Sequence, residues 1–206
     1  MKRFSLIALL AAGPVTASPE YVLPTLFDVS GVAAWDQLNI RSGPNASAEI
    51  IGSLAPDAVG VEVMALDSSG CWGLVNAGER AGWAAMRHLN YRTDVWLPGE
   101  LPAGLSCGGT EPFWSIHADG GSLIWSEPGH EIALSGLTVL DSGFRDPHRG
   151  LHVEDDHDLL SAVISPAQCS DGMSDMAYGL EITVLRQSGN RPVQMYRGCC
   201  RIVAPR

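Results

Sequence analysis

Glu111, Asp171, Ser174 and Asp175 are the residue types that acid–base or cation chemistry needs. Paired carboxylates can divide general-acid and general-base roles when burial separates their pKa values, and they can ligate a hard cation. The spacing favours another use. Ser170-Asp171-Gly172-Met173-Ser174-Asp175 follows Cys169 directly, and Asp and Ser in such a stretch bond nearby backbone amides and close a turn. The expectation is a disulfide-tethered polar loop that binds a ligand without catalysing a reaction. His148, His152, Glu154, Asp155, Asp156, His157 and Asp158 form a second cluster. Imidazole and carboxylate suit zinc, but strand alternation sets Asp155 and His157 opposite Asp156 and Asp158. The order also differs from a helix–loop–helix calcium loop. A solvated hairpin tip is expected, with no metal and no cofactor. A nucleophilic cysteine would need an activating histidine and a lowered pKa, and no histidine spacing supplies one. No catalytic residue is expected, and the chain reads as a non-enzyme.

Charge and the N-terminus narrow the partners. Lys2 and Arg3 precede an apolar run, Phe4 to Ala12, and Val15-Thr16-Ala17 offers small residues for cleavage. Residues 1–17 therefore read as a signal peptide, which places the protein in the periplasm or outside the cell. Nothing further is long and apolar enough to insert into a membrane. Taking Lys2 and Arg3 from the 13 basic residues leaves 11 against 23 acidic ones, a net charge of −12 with no lysine. Such a chain gains nothing electrostatically from nucleic acid, which is excluded as a partner.

Five cysteines, Cys71, Cys107, Cys169, Cys199 and Cys200, would meet an oxidising compartment where disulfides persist. Adjacent Cα atoms sit about 3.8 Å apart, too close for an ordinary bridge. Cys199 and Cys200 are thus expected in two different disulfides, with Cys107 and Cys169 as partners and Cys71 left over. Parity in the last strand groups Cys200 with Tyr196 and Ile202, and Cys199 with Arg197 and Arg201. Cys200 is expected to be buried and Cys199 nearer the surface.

The elements that must position these residues read as strands. Short apolar runs (26–29, 38–41, 49–54, 59–65, 71–75, 80–84) are split by turn residues such as Ser42-Gly43-Pro44 and Asn76-Ala77-Gly78. Residues 91–105, with Pro98, Gly99, Pro102 and Gly104, read as a linker. Trp96 within it is expected to be buried between two packed domains, 18–90 and 106–206. The second domain alternates through Phe113–Ala118, Ser122–Ser126, Gly179–Leu185 and Val193–Val203. The expected fold class is all-β, a small barrel followed by a second small antiparallel barrel or sandwich.

Leu38-Asn39-Ile40-Arg41-Ser42-Gly43-Pro44, then Gly52-Ser53-Leu54, Trp72 and Gly82-Trp83, resemble the SH3-like domains of bacterial envelope proteins over residues 26 to 90. The resemblance implies a barrel of five to seven strands that binds peptidoglycan peptides or, in some members, proteins. Asn39 and Arg41 face away from Leu38 and Ile40 and are candidate ligand contacts. Arg41 either forks onto a carboxylate or braces its own loop. Trp72 is a candidate platform or core residue, and Trp83 reads as core. Cys107-Gly108-Gly109-Thr110-Glu111-Pro112-Phe113-Trp114, the Cys169–Asp175 segment with Tyr178, and Gly198-Cys199-Cys200 resemble a family of uncharacterised bacterial envelope proteins. That family implies a β-barrel and no known activity. Trp114, within the first of these segments, is a further candidate ligand contact. The expected function is an envelope-binding protein whose partner is a peptidoglycan peptide or an envelope protein. Two alternatives stand: an inhibitor that inserts the Ser170–Asp175 loop into a lysozyme-like hydrolase, and a non-catalytic partner of an envelope enzyme.

Overall fold

Period-two alternation becomes antiparallel sheet along the chain. The computed structural model describes residues 20–119 and 121–203, so the expected leader lies outside the described residues. The first part contains β1 (Thr25–Val29), β2 (Leu38–Arg41), β3 (Ile50–Leu54), β4 (Val61–Val63), β5 (Ala65–Leu66), β6 (Trp72–Ala77), β7 (Arg80–Ala85) and β8 (Leu89–Tyr91). The second contains β9 (Leu105–Thr110), β10 (Phe113–Asp119), β11 (Ser122–Glu127), β12 (His130–Leu134), β13 (Thr138–Leu140), β14 (Arg149–Glu154), β15 (Asp158–Cys169), β16 (Tyr178–Ser188) and β17 (Gln194–Ile202). Among the described residues the single helical element is a 3₁₀ turn, Met86–His88. The fold class is all-β, as expected.

The first part pairs a three-stranded sheet, β4-β1-β8, with a five-stranded one, β3-β2-β7-β6-β5. Phe27, Ile40, Val63, Val75, Ala84 and Leu89 fill the space between. Gly82 lies on this inner face because a Cβ there would stand 2.6 Å from Ile40 Cγ2 and 2.9 Å from the Arg41 carbonyl oxygen. Its neighbour Trp83 therefore points outward, half-buried. It lines a pocket with Pro24, Met64, Pro166 and Tyr178, which corrects its reading as core. The run Val59–Ala65 also divides: β4 pairs with β1, whereas β5 pairs with β6.

The second part is one nine-stranded sheet, β12-β11-β10-β9-β17-β16-β15-β14-β13, curled into a half-barrel. Leu160, Ala162 and Ile164 of β15 and Leu180, Ile182 and Val184 of β16 face its core. Their register sets Ile164 opposite Ile182 and Ala162 opposite Val184. Losing one such isoleucine to alanine costs about 2–5 kcal/mol. The glycine-bearing strand β9 sits between β10 and β17; it begins at Leu105, the last residue of the expected linker, and runs through the Cys107–Thr110 motif, for which no strand is expected. Glycine has low strand propensity, and here tertiary pairing overrides it.

The two parts share a seam. Leu26 faces the second core and its neighbour Phe27 the first. Trp96 is buried, as expected, and its Nε1–H donates to the Pro24 carbonyl at 2.8 Å. Arg149, under the Trp96 ring at 5.0 Å, donates to the carbonyls of Leu97, Glu100, Asp146 and His148. That fastens the Leu97–Glu100 segment to β14. Asn76 exchanges hydrogen bonds with the backbone of Ala177, and the Ala81 amide donates to the Asp175 carbonyl at 2.9 Å.

A candidate binding cleft beside the Asp171 loop

Cysteine pairing sets the frame. Cys107 of β9 is bonded to Cys200, its register partner on β17, and Cys169 at the end of β15 is bonded to Cys199. The neighbours thus enter two different disulfides, as parity and geometry required, and disulfides of this kind belong to an oxidising compartment. Cys71 is free and exposed, so it is not packed as a small core residue. Cys199 lies on the outer face with Arg197, yet it is buried almost as fully as Cys200. Its bridge draws Cys169, and the loop after it, over that face, which corrects the surface placement.

The loop that follows Cys169 closes on one carboxylate. Asp171 accepts hydrogen bonds from the amides of Met173 and Ser174 at 3.0 Å each. It also accepts from Ser174 Oγ at 2.8 Å and Tyr178 Oη at 3.0 Å. Gly172 takes φ +71°, a turn conformation that favours glycine. Thr110 Oγ1 donates to the Asp171 carbonyl at 3.1 Å and ties the loop to β9. The Ser174 and Met173 amides hold the Asp171 carboxyl down at a pKa of about 2, against the pull of desolvation. Burial pushes the Tyr178 phenol up, and the Asp171 charge pushes in the same direction. Asp171 is therefore a fixed anion that organises its loop, not a group that exchanges protons near neutrality.

Beside the loop lies an open cleft of about 780 Å³. Bare backbone at Gly108, Gly109 and Gly198 forms one wall, and Glu111, Phe113, Asp171 and Met173 rim it. Phe113 is 54% exposed and Met173 69% exposed. The Arg197 guanidinium stands 3.4 Å from Glu181 at the cleft's edge. Trp114, expected at the ligand, is 5% exposed. It lies under the cleft floor against Gly109 and Gly198 and stacks on Trp125 at 5.1 Å.

Of the candidate residues, the structure brings Glu111, Asp171 and Ser174 together here. Asp175 is exposed, and its backbone bridges to Arg80. Asn39, Arg41 and Trp72 lie elsewhere, on β2 and β6. Arg41 Nη1 donates to the Ala48 carbonyl at 2.7 Å and braces the 42–49 loop. Trp72 packs, partly buried, on the first core. Phe113 and Met173 are residues that chemistry-led reading passed over, although each sits inside a motif it singled out. Their signal was a large apolar side chain at a turn. Among the described residues no group of three or more His, Cys, Asp or Glu side chains converges to hold a metal, and no helix is long and apolar enough to cross a membrane. His152 instead meets Ser161 at 3.0 Å, and Asp155 caps its own hairpin.

Compared with models of known protein families, with curated proteins and with solved structures, the chain matches none.

Proposed function

We propose that this chain is an exported, non-catalytic binding protein of the bacterial envelope, and that it grips a protein partner with the Phe113–Met173 rim of the Asp171 cleft. One observation carries the reading: a loop pinned by four hydrogen bonds to Asp171 holds a largely exposed methionine beside an exposed phenylalanine. Preorganisation lowers the entropy lost on association, and apolar anchors of this kind form the centres of protein interfaces. Glu111 and Asp171 make the rim acidic, which suits a basic partner such as a lysozyme-like wall hydrolase. Localisation to the periplasm rests on the leader-like residues 1–17 and agrees with the two disulfides. The test is the rate at which a lysozyme-type hydrolase clears purified sacculi as the chain is added. Saturable inhibition that Met173→Asp abolishes supports the reading; clearance unaffected by the wild-type chain rejects the hydrolase as partner.

A second reading is favoured by the Leu38–Pro44 motif. The first part, in its SH3-like role, takes a peptidoglycan stem peptide on Asn39, Arg41 and Trp72. Arg41 is partly exposed and engages protein through Nη1, so further donors could meet a peptide carboxylate. Co-sedimentation with sacculi that Arg41→Ala leaves unchanged counts against it.

A further inference from the structure

At the end of β16 remote from the Asp171 loop, the mouth of the half-barrel holds a second cavity of about 780 Å³. Arg186 lines it, although only 7% of its side chain is exposed. Its guanidinium lies over the Trp125 ring, 4.6 Å from the centroid, and Nη2 donates to Asp158 at 3.0 Å. Nη1 stands 3.9 Å from Glu127, beyond hydrogen-bonding range. Nε is fully buried and has no partner.

The chain's other buried arginine gives the contrast. Arg149 places its donors on four backbone carbonyls, as a structural arginine does. Arg186 is held rigidly from behind by Trp125 and Asp158; Nη1 makes no hydrogen bond, and Nε, shut off from solvent, makes none either. A buried cation with unused donors costs stability, which is the expected mark of a site that a ligand completes. Charges of both signs meet there. Glu127 and Arg191 line the same cavity as Arg186, and both of them, with Arg186, act on the Tyr196 phenol.

We propose that this mouth binds the zwitterionic headgroup of a free amino acid. The carboxylate takes Arg186 Nη1, with Arg191 closing from the rim, and the ammonium takes Glu127. A dianion such as phosphate would confront Glu127 and Asp158, and a simple cation would confront Arg186. A headgroup with one charge of each sign satisfies both sides.

The test is a panel of free amino acids at millimolar concentration against the dialysed full chain, read by thermal unfolding and tryptophan fluorescence. Trp125, 4.6 Å beneath the Arg186 guanidinium, is one of six tryptophans, so binding should change part of the emission. At least one free amino acid should raise the melting temperature and change the emission. Its N-acetyl and its amide derivatives should do neither. Glu127→Gln, a partly exposed position that leaves the core intact, should weaken binding about tenfold. The proposal is overturned if no free amino acid acts, if the blocked derivatives act as well as the parent, if Glu127→Gln binds unchanged, or if inorganic phosphate alone shifts the protein.

Discussion

Glu62 of β4 reaches across the seam and accepts a hydrogen bond from the Ile202 amide of β17 at 3.0 Å. Burial raises its pKa from 4.5 to about 7, while the Ile202 amide and the Arg201 guanidinium pull it down. Below pH 4.5 the folded and unfolded chains both hold the proton, and the group's contribution to stability is fully present. As pH rises, the unfolded chain releases the proton first, so the contribution declines and is lost once pH passes about 7. At about 1.4 kcal/mol per pKa unit, the swing is on the order of 3 kcal/mol. Glu62→Gln keeps an oxygen for the Ile202 amide and removes the titration. Urea unfolding of both proteins, read by tryptophan fluorescence from about pH 4.5 to about 8, isolates the effect, because every other titrating group cancels in the difference. The variant should gain on the wild type steadily with pH, reaching about 3 kcal/mol. A difference that stays flat would refute the reasoning.

Further expectations concern the loop, the seam and the free thiol. Asp171→Ala should cost about 1–2 kcal/mol by thermal unfolding near neutrality. The wild-type advantage should be complete above about pH 3.8, decline below that as the unfolded chain takes up the proton, and be gone once pH falls below about 2. Arg149→Lys should destabilise by about 2–4 kcal/mol in urea unfolding, because an ammonium cannot span four carbonyls in a planar fork. Alkylation of the unreduced native protein, followed by mass spectrometry, should label Cys71 alone, and reduction should open the other four cysteines.

Much of the fold was legible because it rests on local alternation. Leu180, Ile182 and Val184 announce an inner face wherever they fall, and the split destinations of Cys199 and Cys200 follow from backbone geometry. What stayed hidden depends on contacts distant in sequence. The pairing Cys107–Cys200 follows from β9 lying beside β17, across 93 residues, and a Cys-Gly-Gly segment gives no strand signal. Trp83 faces outward because Gly82 must admit Ile40, and it is half-buried because the second part covers it. For the site, Asp171 and Ser174 were readable as loop closers. Met173 and Phe113 were not readable as its exposed rim, since only the folded loop decides which apolar side chain is left outside. Arg186 gave no sign at all: an arginine ending a strand reads as solvated until Trp125 is found beneath it.

The central claim is that the Phe113–Met173 rim is the surface a partner covers. Photocrosslinking from cells that export the chain tests it most directly, with a photoreactive phenylalanine in place of Met173. A second copy of the experiment places the group at Met195, equally exposed on the outer face of β17. The account expects position 173 to capture one discrete envelope protein that position 195 does not. No adduct at 173, or the same adducts from both positions, would contradict it.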